Sequence, residues 1–104
     1  MGSMIEKRKN KFFNTCYLFD DKGDIVGHYS KRHLTLGETR WLTSGDALAV
    51  FETSLGIIGL QICRDLLYPE DTRTLMRKGA QIIFCPSFWA EKSTEYSAVY
   101  NLKY

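Results

Sequence analysis

Cys63 and Lys31 are the side chains whose types and surroundings could support covalent chemistry. Cys63 ends the apolar run IIGLQIC (residues 57–63), and a short link then leads into a helix. Open α/β sheets present their ligands at such strand ends. A cysteine thiol at its ordinary pKa near 8.5 is only about 3% thiolate at pH 7, so attack on carbon needs a nearby cation or a general base. Lys31 closes the segment DIVGHYSK and supplies that cation if its strand lies beside that of Cys63. Taken alone, a strand cysteine is usually a small buried hydrophobe, which is how Cys16 and Cys85 read. The elements that would carry Cys63 and Lys31 therefore decide the matter.

Residues 11–19, KFFNTCYLF, and residues 24–31 flank the turn cluster DDKG and predict a hairpin. In its first strand both alternating sets carry apolar members, Phe12, Cys16 and Leu18 against Phe13, Tyr17 and Phe19. That pattern predicts a strand covered on both faces, hence a layered sandwich. Residues 32–45 form a long loop of the kind that is often functional. A second hairpin joins residues 48–53 to 57–63 across Ser54, Leu55 and Gly56. Pro69 at a first helical position, Glu70 and Asp71 after it, Arg77 and Lys78 in the last turn and Gly79 beyond predict a helix over 69–78. The run IIFC (82–85), stopped by Pro86, is a further buried strand. Residues 57–85 thus form one β-α-β unit with parallel strands and a right-handed crossover. Phe88 and Trp89 follow at the same strand-end rim, where they line a pocket or pack in the core. Residues 91–104 read as a helix without a terminal cap.

With hydrophobic residues at 44% and charged residues at 25%, the 104 residues predict one soluble globular unit, not a disordered chain or coiled coil. No apolar run approaches the roughly 18 residues of a membrane span. A net charge of +2 does not call for nucleic acid, and Lys7, Arg8, Lys9 and Lys11 read as a solvated chain end beside a strand. Three widely spaced cysteines without a CxxC pair fit neither a disulfide framework nor a zinc ribbon. His28 and His33 with Cys63 give no metal spacing, so neither a metal nor a cofactor is expected, and the setting is a reducing cytoplasm. Met1-Gly2-Ser3 resembles a vector remnant ahead of a domain at 4–104.

Four stretches taken in order, NTCYLFDDKGDIVGHYSKRHL (14–34), GE (37–38), LTSGDALAVFET (42–53) and GIIGLQICRDLLYPEDTRTLMRKGAQIIFCPSFW (56–89), resemble the nitrilase superfamily of carbon-nitrogen hydrolases. The resemblance implies an α/β fold, part of an α-β-β-α layered sandwich with hairpins in mixed sheets, the 69–78 helix packing on an outer face. It also implies a Glu-Lys-Cys triad, with Lys31 as its lysine, Cys63 as its nucleophile and Glu38 as the additional glutamate near the lysine. Cys63 would attack a small amide, carbamoyl or nitrile carbon. The oxyanion would be held by Lys31 and by the backbone N–H of Arg64, and water would then hydrolyse the thioester.

Departures from the family pattern matter as much. The general-base glutamate of such enzymes precedes everything present here, and Glu6 is too close to Lys31 in sequence to replace it. Members are longer at both ends, so the sequence resembles the central third of such an enzyme, and little turnover is expected from it alone. Arg64 is expected to pair with Asp65 or with a substrate carboxylate. Relatives commonly pair their sandwiches, which implies a homo-oligomer. Two other readings stay open: a non-catalytic interaction module of the same fold, and a redox-sensing thiol at Cys63.

Overall fold

The basic segment at the start of the chain is itself a strand, although Lys7, Lys9 and Lys11 are exposed as expected. In the computed structural model, which describes residues 2–88, β1 (Ser3–Arg8) pairs antiparallel with β2 (Lys11–Phe19), Ser3 lying opposite Cys16. The aromatic residues of β2 explain why so charged a segment joins the sheet. The Arg8 guanidinium lies 4.0 Å over the Phe13 ring, donates to Ser30 Oγ and pairs with Glu6 at 3.5 Å, and Lys7 Nζ lies 5.7 Å from the Phe12 ring, so the charges are held on the sheet by cation-aromatic and polar contacts.

β2 continues into β3 (Ile25–Ser30) as the predicted hairpin. Asp20 Oδ1 accepts hydrogen bonds from the N–H groups of Lys22 and Asp24, which reinforces a turn also closed by backbone bonds from Asp20 N to Asp24 O and from Gly23 N to Asp20 O. The second hairpin joins β4 (Val50–Thr53) to β5 (Gly56–Leu60), and β6 (Ile82–Phe84) runs parallel to β5. The sheets are therefore β1-β2-β3, antiparallel throughout, and β4-β5-β6, mixed.

Cys16, Leu18 and Tyr29 of the first sheet meet Ile58 and Leu60 of the second, and Ile62 just after it, in one buried cluster. Gly27 admits the Phe51 ring between the sheets, since a β-carbon at Gly27 would fall 2.2 Å from Phe51 Cε1. β2 departs from the expected cover on both faces. On one face Cys16 and Leu18 are buried but Phe12 is exposed, and on the other Thr15 is buried, Phe13 and Tyr17 are half-buried and Phe19 is exposed, so cover is complete only in the middle of the strand.

The helix α1 (Pro69–Arg77) ends one residue earlier than expected, with Lys78 as its cap and Gly79 at φ 98° turning the chain. Its buried Leu75 packs over Gly59, where a β-carbon would lie 3.2 Å from Leu75 Cδ1. That places α1 on the outer side of the second sheet and completes a helix-sheet-sheet arrangement. Trp89 and the helix expected over 91–104 lie outside the described residues. Among those described, no helix is long and apolar enough to cross a membrane.

Candidate active site

Lys31 follows the last residue of β3 and stays bound to the sheet. Its N–H donates to Asn14 O at 2.8 Å, and its carbonyl accepts from Gly45 N at 2.8 Å, where the long loop returns. With both backbone groups engaged, the side chain points inward and the residue is 2% exposed. Its Nζ donates to Glu38 Oε2 at 2.7 Å. Glu38 opens a short 3-10 turn (Glu38–Arg40) and also accepts from Thr35 N at 2.8 Å and Asn14 Nδ2 at 3.3 Å. Burial alone would raise the Glu38 carboxyl pKa, but the hydrogen bonds from Lys31, Thr35 and Asn14, with the Lys31 charge, outweigh it and hold it below the ordinary carboxylate value.

A carboxyl held low in the folded state contributes stability that is fully present above its unfolded pKa and is lost as pH falls through the folded one. Glu38→Gln should therefore cost stability at pH 7 and much less at pH 3, as read from denaturant midpoints at the two values. An equal loss at both would show that the charge on Glu38 does not matter.

Cys63 does not end a strand as expected. β5 stops at Leu60, and Cys63 begins a 3-10 turn (Cys63–Leu67), although the backbone continues to pair with the segment after β6 through Gln61 N to Phe84 O and Cys63 N to Pro86 O. At Cys63 the chain turns through φ 48°, a left-handed conformation that L-residues avoid unless neighbours enforce it. Its thiol reaches Phe88 O at 3.6 Å. Burial pushes the Cys16 thiol up to about 11 and also raises that of Cys85.

Lys31, Glu38 and Cys63 line one cleft of about 530 Å³, together with Asn14, Thr35 and Phe88. A smaller cleft of about 340 Å³ beside Arg8, His28 and Ser44 contains none of the three. Phe88 borders the larger cleft but is 87% exposed, so it is not a core residue. Arg64 is half-buried and is not among the residues described as lining the cleft. Its expected partner is otherwise engaged, because the Asp65 carboxylate accepts from Tyr29 Oη at 2.7 Å, Ile62 N at 2.9 Å and His33 N at 2.9 Å. Glu6 also lies apart from the cleft, accepting from Tyr17 Oη at 2.7 Å.

Sequence reasoning missed Asn14, which binds both Lys31 and Glu38, and missed Asp65, which is fully buried. The available signal was polarity: Asn14 interrupts the same alternating set as Cys16 and Leu18. His33, Asp65 and Asp71 bring one ligating atom each within 4.8 Å of one another. Those groups are already used, for the Asp71 carboxylate binds Arg32 Nη1 at 2.7 Å and His33 Nε2 at 2.9 Å, and the His33 ring stacks on Tyr68 at 3.5 Å.

Comparison with known proteins shows the family. The model of the carbon-nitrogen hydrolase family matches residues 1–100. The probable hydrolase YhcX of Bacillus subtilis (strain 168) is 41% identical over 87 residues, which cover 82% of this chain and 17% of that protein. Omega-amidase NIT2 of Homo sapiens is 31% identical over 94 residues, covering 82% and 34%. The crystal structure of Saccharomyces cerevisiae Nit3, a member of branch 10 of the nitrilase superfamily, superimposes with a TM-score of 0.82 at 28% identity over 95% of this chain and 36% of that one. A carbon-nitrogen hydrolase from Helicobacter pylori G27 superimposes with a TM-score of 0.78 at 38% identity over 92% and 35%. The chain thus spans about a third or less of the length of these relatives. Its ordered motifs, its two facing sheets and the family match converge, and the chain belongs to the carbon-nitrogen hydrolase family of the nitrilase superfamily.

Proposed function

We propose that this chain carries the nucleophilic part of a hydrolase for small amides, carbamoyl compounds or nitriles, with Cys63 as nucleophile, Lys31 as oxyanion partner and Glu38 as the group that holds Lys31. With an amide, the Cys63 thiolate adds to the carbonyl carbon, and the oxyanion forms beside the Lys31 ammonium. The C–N bond then breaks, ammonia leaves with the proton the thiol gave up, and water cleaves the thioester to release the acid and restore the thiol. The observation that carries this reading is the single cleft shared by a thiol and a buried, carboxylate-bound ammonium. Omega-amidase NIT2, to which the chain is similar, makes an amide the first substrate to try. The same reading includes a self-associating chain, supported by the exposed Met4, Ile5, Phe19 and Ile25, and a reducing cytoplasmic setting, supported by three free thiols.

Glu38 is the one carboxylate among the described cleft residues, and Lys31 already occupies it. Acylation is therefore expected to outrun deacylation. p-Nitrophenyl acetate, whose leaving group needs no protonation, should give a burst of about one nitrophenolate per chain, with the acetyl group on Cys63 in a peptide map. Cys63→Ala should abolish the burst, and simple amides should release ammonia at the background rate. Acetylation spread evenly over Cys85 and surface lysines would overturn the assignment of Cys63. Robust, Cys63-dependent ammonia release would instead overturn the expected lack of turnover.

A further inference from the structure

The cleft brings together two segments that are distant in sequence, and one buried carboxylate lies between them. Asp65 is 0% exposed and its two oxygens accept three hydrogen bonds. Two of the donors, Tyr29 Oη and His33 N, stand two residues before and two residues after Lys31. The third, Ile62 N, immediately precedes Cys63. Tyr29 Oη in turn accepts from Arg32 N at 3.3 Å, so the chain is gripped on both sides of Lys31. We propose that Asp65 is a positioning residue that fixes the Lys31 ammonium against the Cys63 thiol. This rests on the roles given above to Lys31 and Cys63.

An ordinary structural buried acid would need only enough donors to offset its desolvation. Here every donor comes from a chain segment adjoining Lys31 or Cys63. Asp65 also acts on the strained turn. Bonding Ile62 N holds the residue before Cys63 extended, with φ −134° and ψ 116°, so that the reversal to φ 48° occurs at Cys63 itself. Burial and the adjacent Asp65 charge push the Tyr29 hydroxyl pKa well above its ordinary value, which favours its donor form.

Asp65→Asn changes size least. One side-chain oxygen can still serve Tyr29 and Ile62, but the amide nitrogen then faces the His33 N–H, a donor against a donor. The chain after Lys31 is released while the core keeps its volume. Tyr29→Phe is milder, removing one bond and leaving the ring in the core.

The test is the rate of Cys63 alkylation by iodoacetamide, located by peptide mapping, in the 104-residue chain and in Asp65→Asn, Tyr29→Phe, Lys31→Met and the Asp65→Asn/Lys31→Met double variant. Alkylation needs no general base and no leaving-group protonation, so it reads the thiol and its cation alone. Asp65→Asn should slow it about tenfold and Tyr29→Phe about threefold, whereas in the Lys31→Met background Asp65→Asn should add less than about twofold, because on this proposal Asp65 acts through Lys31. An undiminished Asp65 effect without Lys31 would mean general loosening and would overturn the proposal. So would unchanged rates in both Asp65→Asn and Tyr29→Phe while Lys31→Met is slow, an outcome that leaves the role of Lys31 intact. Should Lys31→Met leave the rate unchanged, the functional reading fails and this proposal with it. Tyr29→Phe carries the test if Asp65→Asn does not fold.

Discussion

Lys31→Met should slow acetylation of Cys63 by p-nitrophenyl acetate about 100-fold or more, with the burst still reaching one equivalent at long times. The size follows from where the charge sits. The side chain is only 3% exposed, and an ammonium removed from water stabilises an oxyanion far more strongly than an exposed one does. Loss of one such donor typically costs about 100-fold to 1000-fold. Methionine keeps the length and apolar stem of lysine, so the change is mainly one of charge and hydrogen bonding. Glu38 would keep Thr35 N and Asn14 Nδ2 as donors and could take up a proton, which limits the damage to folding. Lys31→Arg should not restore the rate, because a planar guanidinium does not fit the place of a compact ammonium held 2.7 Å from Glu38. Single-turnover stopped-flow on the three proteins measures all of this. A loss of less than about threefold in Lys31→Met would remove the oxyanion role.

Much of this arrangement could be read from the residues, and the parts that could not have physical causes. Alternation and turn chemistry are local, so the 11–31 hairpin, the second hairpin, α1 with its Pro69 start and the parallel β5–β6 pair all form in the expected order, with some ends shifted by one to three residues. β1 escaped notice because its charges suggest solvent, while its place in the sheet depends on cation-aromatic contacts with β2 that no local pattern displays. The left-handed Cys63 was invisible for a related reason. Glycine advertises positive φ, but a cysteine forced there is held by Pro86 O and by the Ile62–Asp65 bond, contacts made by other segments. Asp65 itself looked like a partner for its neighbour Arg64. Two of its three donors lie 36 and 32 residues away at Tyr29 and His33, and adjacency in sequence gives no hint of them.

Gly45→Ala should destabilise the fold by about 2–4 kcal/mol and slow Cys63 acylation as well, although residue 45 lies outside the cleft. A β-carbon at Gly45 would fall 2.1 Å from Ser30 O and 2.8 Å from Ser30 C. Both are main-chain atoms, so no change of rotamer relieves the overlap, and either the loop lifts or the end of β3 shifts. In either case the 2.8 Å bond from Gly45 N to Lys31 O is lost. That bond and the one from Lys31 N to Asn14 O are what fix the backbone from which the buried ammonium extends. The stability loss should therefore appear in denaturant midpoints and the loss of reactivity in the acylation rate. Gly37→Ala supplies the control within the same loop, since nothing lies within 4 Å of a β-carbon there and its φ of −67° suits alanine. It should leave both measurements unchanged. If Gly45→Ala lowered stability without slowing acylation, the loop return would support the fold without positioning Lys31. If Gly37→Ala matched it in both, the loop as a whole, and not the contact with Ser30, would be what matters.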